Sequence, residues 1–338
     1  MHEFQHLSSS SSETAEFRWG VVGSIAYDST SRSLLTLHPD ALLTFDPMRI
    51  DRFPVSGVLP NVLLGAGSAD GERLVAINQD SLQVIDADGL HERLRIAHDG
   101  VNTRAVALSA VGDLLAILSA SGELSLRSPL DGSVIARGQA LAEFASASPR
   151  CAIGNDGSIA VTNGRGDVVL FTRSGSTLTE SARTSLSGGA VTAMVAVPAR
   201  KEFLVGMKDG SAHVVDEASL AVRVTLPTNG HAIGAMTPSF DGLRYFTAAD
   251  DGSIRIWHAE TGKELLTLNE ERITAAPTAI FIEPNNERLV VGYANGAERI
   301  WDAVTWAERV RRRGKPEWPN TEPKLVPAES HPATNHER

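Results

Sequence analysis

Short turn motifs recur along this chain at a nearly constant interval, and that repeat limits its possible folds more than any other feature. One series of turns has neighbouring members 40–44 residues apart. Its members are Asp40, Asp80, Gly122, Gly166, Gly210, Gly252 and Gly296. A second series keeps the same interval at 30–31, 70–71, 112–113, 156–157, 199–200, 241–242 and 285–286. Repeats of this length are built from one small structural unit that packs against its neighbours.

Short β-rich runs lie between these turns, for example at 74–77, 114–118 and 168–171. No helical 3.6-residue pattern of convincing length occurs in the repeated span, which excludes helical solenoids of similar period. The pattern therefore predicts an all-β unit of four short strands, a to d in chain order, repeated seven times. The first strands, such as 63–67 and 234–237, are rich in Ala and Gly, as crowded strands that converge on an axis require.

The chain ends differ from this repeated span in composition. Residues 1–15 form a Ser-rich lead that has little to bury, and we expect it to be disordered. Residues 314–338 form a polar tail with spread prolines, which cannot join a sheet ladder, so this segment is also predicted to be disordered. The folded domain is then expected at 16–313.

The run from Asp251 to Trp257, with Gly230–His231 about twenty residues upstream, resembles one copy of the WD-repeat motif of β-propellers, in particular of bacterial members of that family. The resemblance implies a seven-bladed β-propeller of four-stranded antiparallel blades. It also implies that His231, Asp251 and Trp257, together with a Ser or Thr of strand b, lock the blade by hydrogen bonds. The Ser or Thr position falls on Ala249. Trp301 stands at the place of Trp257 in the next copy.

The same resemblance implies a non-enzymatic scaffold that binds other proteins. The sequence contains no GxSxG, HExxH, CxxC, Walker or EF-hand motif, so we expect no catalytic residues, cofactor or metal. A propeller enzyme, such as a lactonase-like hydrolase or isomerase, remains an alternative, as does a sensor module of a signalling system. An enzyme should present three or more acids, Asn or His to the central channel, whereas a scaffold should concentrate its variety on the rim loops.

Charge and hydropathy narrow the partners further. The formal net charge of −10 opposes binding to nucleic acid, and no apolar window is long enough to span a membrane. The lone Cys151 rules out an internal disulfide and is expected to be a buried structural thiol. A cytoplasmic protein is therefore expected.

In a propeller the b–c turns and the d–a connections emerge on one face. This arrangement predicts a partner-binding face made of Asp80, His98, Asp99, Arg165, Asp209, Asp250, Glu270, Glu271, Arg272 and Asn295. Acidic residues outnumber basic ones in this set, so we expect the partner to present a basic surface or peptide. The alternative is that these residues are only solvated turn residues.

Overall fold

The computed structural model describes residues 5–6, 24–28, 33–39, 41–45, 55–58, 61–88, 91–140, 148–227, 229–268, 275–283 and 288–302. These residues form short β-strands and turns, with a 3-10 turn at Pro198–Arg200 and no α-helix. Within them, no helix is long and apolar enough to cross a membrane. The predicted all-β class is confirmed.

The strands are numbered β1 to β28 in chain order. The first nine are Gln5–His6, Ser24–Asp28, Ser33–Leu37, Ala41–Phe45, Val55–Val58, Leu64–Gly67, Arg73–Ile77, Ser81–Asp86 and His91–Ala97. Strands β10 to β17 are Thr103–Leu108, Leu115–Ser119, Glu123–Arg127, Val134–Gln139, Cys151–Ile153, Ile159–Thr162, Asp167–Ser174 and Thr177–Ser185. Strands β18 to β28 are Val191–Val197, Glu202–Met207, Ala212–Asp216, Val222–Leu226, Ile233–Pro238, Arg244–Ala249, Ile254–His258, Glu264–Leu268, Pro277–Ile282, Arg288–Tyr293 and Glu298–Asp302.

Consecutive strands pair antiparallel in groups of four, which we call units 1 to 6: β2–β5, β6–β9, β10–β13, β14–β17, β18–β21 and β22–β25. Unit 7 contains β26, β27 and β28, with β1 as its fourth strand. Units 3 and 4 share one eight-stranded sheet because β13 and β17 pair in parallel at Arg137 and Thr177. These antiparallel sheets are consistent with a β-propeller.

Turn chemistry explains why the chain reverses where it does. Gly252 lies between β23 and β24 with a φ of 83°, and Gly210 lies between β19 and β20 with a φ of 88°. Glycine populates this left-handed region at no steric cost, whereas other residues are strained there. The described turns of both series lie between consecutive strands, as the repeat predicts.

Each described core cluster joins two consecutive units, so the sheets are covered on both faces. Trp257 of unit 6, for example, packs with Leu204 and Val214 of unit 5. Phe281 of unit 7 packs with Ile25 of unit 1, and the rings of Phe281 and Tyr27 stack with centroids 6.5 Å apart. The first strands of neighbouring units also contact one another, and β26 contacts β2. The series of contacts therefore returns to its starting point.

The last unit differs from the expectation at its outer edge. The spacing of residues 306–312 after Trp301 predicts a final strand from the carboxy-terminal segment, with an outer strand from residues 17–22 as the alternative. Both segments lie outside the described part. Instead, Gln5 pairs with Asp302 and His6 with Trp301. These two residues belong to the Ser-rich lead of residues 1–15. A ladder this short depends on backbone hydrogen bonds to an open strand edge, which leave no hydrophobic pattern in the sequence. The 314–338 tail lies outside the described residues.

Candidate protein-interaction face

Backbone hydrogen bonds bring the b–c turns and the d–a connections to the same end of each unit. In unit 2, His98 N–H donates to Asp80 O at 2.8 Å. In unit 6, Asp250 N–H donates to Ala232 O in the connection that enters β22, at 2.9 Å. We call this end, formed by the b–c turns and d–a connections among the described residues, the turn face.

Seven of the ten predicted face residues are described, and all seven lie on the turn face. One is half-buried, namely His98, and the others are exposed: Asp80, Asp99, Arg165, Asp209, Asp250 and Asn295. Glu270, Glu271 and Arg272 lie outside the described residues. The assignment of this face to a partner stays a prediction.

Local hydrogen bonds hold the acidic turn residues in place. Asp209 Oδ1 accepts the Ser211 amide at 2.8 Å and the Ser211 hydroxyl at 2.6 Å. Hydrogen bonds from the Asn102 side chain and amide lower the pKa of Asp99 below its ordinary value. Burial lowers the pKa of His98, whose Nε2 lies 2.8 Å from Thr103 Oγ1. The turn face therefore presents carboxylates on turns that local hydrogen bonds already order.

The turn face also carries two basic residues that were not predicted from the sequence. Arg104 is exposed on β10 at an irregular register, and its Nη1 donates to Val101 O at 3.0 Å. Exposed Arg150 leads into β14, and its Nε donates to Thr192 O at 3.0 Å. With Arg165 they place positive charge on units 3 and 4, so the face is not uniformly acidic. Arg104 could not be assigned from period-two alternation, because a bulge shifts which way a side chain points.

Trp257 is held inside unit 6 by a hydrogen bond to the adjacent strand. Its side chain is 2% exposed, and Nε1–H donates to Thr247 Oγ1 at 2.9 Å. The sequence-based prediction placed the Ser or Thr of the lock at Ala249, which has no hydroxyl. That prediction is wrong, because the hydroxyl belongs to Thr247. Thr247 and Ala249 lie on the same side of β23, so residue alternation cannot tell which of them is next to Trp257. The register decides it, because Tyr245 pairs with Trp257 and Thr247 is the nearer of the two.

His231 and Asp251 lie at the surface end of the same unit. His231 is 52% exposed at its side chain, with Nδ1 3.4 Å from Asp250 Oδ1 and Nε2 3.8 Å from Asp251 Oδ2. Asp251 Oδ1 accepts the Ser253 amide at 3.0 Å and its hydroxyl at 2.7 Å. Burial alone would raise the pKa of Asp251, but the hydrogen bonds from Ser253 and the nearby His231 hold that pKa below its ordinary value. The predicted lock thus contains a buried Trp–Thr pair and a surface His–Asp–Ser group.

Trp301 occupies the corresponding place in unit 7. It is buried and packs in the cluster that contains Ile256 and Tyr293. It pairs with Leu289, just as Trp257 pairs with Tyr245, so the position of Thr247 corresponds to Val291. Valine has no hydroxyl, so the Trp–Thr hydrogen bond of unit 6 has no counterpart at Val291.

Cys151 and His213 are residue types that often act in catalysis, and both are buried. Cys151 is free and buried, and burial raises the pKa of its thiol to about 12, so it is not a thiolate at neutral pH. His213 is buried, with Nδ1 3.0 Å from Thr225 Oγ1 and Nε2 2.7 Å from Ser187 O. Among the described residues, no group of three His, Cys, Asp or Glu side chains is placed to hold a metal ion.

A polar bracket joins units 5 and 6 at the end opposite the turn face. Buried Glu202 accepts the Tyr245 hydroxyl at 2.6 Å and Arg223 Nε at 2.5 Å, and Arg200 Nε lies 3.2 Å away. Burial and the Glu202 carboxylate raise the pKa of Tyr245. Arg223 also donates to Ala259 O at 2.6 Å. The four side chains come from three segments, so local sequence patterns do not reveal the bracket.

Comparisons with known proteins agree with a WD-repeat relationship over part of the chain. No family profile matches it. The chain is 31% identical over 109 residues to a guanine nucleotide-binding protein subunit beta of Solanum tuberosum, a match that covers 31% of this chain and 29% of that protein. It is 32% identical over 80 residues to WD repeat-containing protein 41 of Homo sapiens, covering 22% of this chain and 17% of that protein. The matches span less than a third of either relative.

Proposed function

We propose that the chain is a seven-bladed β-propeller of the WD-repeat type, with units 1 to 7 as its blades, and that it acts as a non-enzymatic scaffold for other proteins. The contacts that run from unit to unit and return from β26 to β2 support a closed ring. The buried hydrogen bond between Trp257 and Thr247 and the partial similarity to a protein named for its WD repeats support the family. The relatives cover only part of the chain, so the scaffold role is carried by the geometry of the turn face.

The main support for this function is the negative charge on the ordered b–c turns of units 5 and 6. Asp209 and Asp250 are exposed at successive b–c turns, and Asp251 lies beside Asp250. Because the turns are fixed by side-chain and backbone hydrogen bonds, a partner that docks on them loses little loop entropy. Their negative charge favours a basic segment and speeds its approach at low ionic strength. We infer that the partner binds units 5 and 6 through a basic surface or peptide.

A propeller enzyme is the competing function. Cys151 is buried with a raised pKa, and His213 uses both ring nitrogens in hydrogen bonds. Neither is arranged as a nucleophile beside a base, as acyl transfer would require. These arrangements favour the scaffold.

Charge reversal tests the proposal. The tagged variant Asp209→Lys with Asp250→Lys should lose proteins that the wild-type chain retains from native lysate at low salt, as identified by mass spectrometry. Retention by the wild type should also fall as salt is raised, because the Debye length shortens from about 8 Å at 0.15 M salt to about 3 Å at 1 M.

The matched control reverses two exposed carboxylates at the opposite end, Glu72→Lys with Asp88→Lys. Glu202 would be unsuitable, because it is buried in the bracket with Arg223 and Tyr245. If the control variant loses the partners and the Asp209/Asp250 variant keeps them, the turn face is not the docking surface.

A further inference from the structure

Two carboxylates of neighbouring units meet at the end opposite the turn face. Asp156 lies in the turn between β14 and β15, and Glu217 follows β20. Asp156 N–H donates to Glu217 Oε1 at 3.3 Å, which brings the two carboxyl groups close to one another. Glu217 is only 6% exposed. Two carboxylates this close repel one another unless a positive charge or a proton lies between them.

The turn of unit 4 is built to admit the Glu217 carboxylate. In unit 6 the corresponding turn begins with Ser239, whose hydroxyl donates to Asp241 Oδ1 at 2.6 Å. Unit 4 has Gly154 at that position, and a Cβ there would lie 2.5 Å from Glu217 Oε1. Any larger residue would expel the carboxylate. In unit 4, therefore, the Glu217 carboxylate of unit 5 occupies the space that the Ser239 side chain fills in unit 6.

A third oxygen faces the same space. Ser158 is 2% exposed, and its Oγ has no hydrogen-bond partner within the described part of the chain. A Cβ placed on Gly154 would lie 2.7 Å from this oxygen and 2.5 Å from Glu217 Oε1, so the two oxygens border the same space. The Ser158 amide donates to Asp156 Oδ1 at 2.8 Å, which fixes the turn. A buried hydroxyl without a partner is unfavourable, and an ion that it ligates would remove that cost.

We propose that Asp156, Glu217 and Ser158 form a binding site for a hard divalent cation, Ca²⁺ or Mg²⁺, between units 4 and 5. The donors are all oxygens, which these two ions prefer, whereas Zn²⁺ sites are usually built with His or Cys. Mg²⁺ is commonly bound by one or two carboxylates and retains several waters, and Ca²⁺ completes its larger shell with carbonyls and waters. With only two carboxylates the site should be weak, with a dissociation constant on the order of 10⁻⁴–10⁻³ M.

The test is a titration of the chelator-treated full chain with CaCl2 and, separately, MgCl2, with the thermal midpoint and the heat of binding as readouts. We expect a saturable rise of the midpoint for at least one ion, beyond that in NaCl of equal ionic strength. Ser158→Ala should weaken binding several-fold while it keeps both carboxylates. The arm that saturates at the lower concentration identifies the preferred ion.

Glu217→Gln separates cation binding from folding. The amide can still accept the Asp156 N–H and can donate to the Asp156 carboxylate, so the contact survives without any cation. This variant should fold and should lose the response to both ions, whereas the exposed Glu180→Gln should keep it. A wild-type chain that shows no saturable response, or a response unchanged in Glu217→Gln, would overturn the site and would assign the carboxyl contact to a shared proton.

Discussion

Trp257 offers the sharpest test of how unit 6 is held together. Trp257→Ala removes a large aromatic side chain that is 2% exposed and packs against unit 5. Truncating a buried aromatic typically costs about 3–5 kcal/mol. With a urea slope of about 3 kcal/mol/M, the unfolding midpoint should fall by roughly 1–1.7 M. The assay is urea unfolding of both chains, followed by far-ultraviolet circular dichroism.

The hydrogen-bond contribution can be separated from packing. Thr247→Val keeps the volume but leaves the buried Trp257 Nε1–H without its acceptor, which should cost about 1–3 kcal/mol. The double variant Trp257→Phe with Thr247→Val should lose less free energy of unfolding than the two single variants lose together, because both changes remove the same hydrogen bond.

Trp318→Ala, in the segment predicted to be a tail, is the control and should leave the midpoint unchanged. Equal midpoints for Trp257→Ala and Trp318→Ala would refute the buried role of Trp257. Strict additivity of the Thr247 and Trp257 changes would refute the bond between them.

Three further outcomes follow from the structure. Glu202→Gln should destabilise the fold by about 1.5–3 kcal/mol, because Arg223 is partly exposed and keeps its bond to Ala259 O but loses the carboxylate that faces it; urea unfolding measures this, and an unchanged midpoint would contradict the bracket. Burial raises the pKa of Asp86, but hydrogen bonds from Arg93 and Arg73 outweigh it and lower the pKa overall. The stabilising effect of the Asp86 carboxylate should therefore be complete above the unfolded pKa of about 3.9 and fade as pH falls below it. The urea midpoints of the wild type and Asp86→Asn should converge as pH falls from about 5 to about 2. A constant difference would count against the pairing. Deleting residues 1–6 should speed hydrogen exchange at Trp301 and Asp302, which pair with β1, and leave exchange in units 2–5 unchanged; unaltered exchange at β28 would remove β1 from unit 7.

Local chemistry explains what the sequence could predict. The Asp- and Gly-containing turns depend on a few adjacent residues, so their interval predicts both the strand boundaries and the all-β class. The turn face follows from the same turns, and all of its described residues lie where the strand order requires.

What the sequence could not predict depends on contacts between distant segments. Thr247 was separated from Ala249 only by the register of β23 and β24. The Asp156–Glu217 contact requires two units to meet, and the β1–β28 pairing requires the chain ends to meet. Such contacts leave no periodic signal, because only the folded arrangement of the units brings their residues together.

Hydrogen exchange of the chain with and without a captured partner tests the central claim most directly. The scaffold account predicts slower exchange on binding at the b–c turns around Asp209 and Asp250, with the a–b turns around Asp70 and Asp113 unaffected. Protection confined to the a–b turns would contradict it.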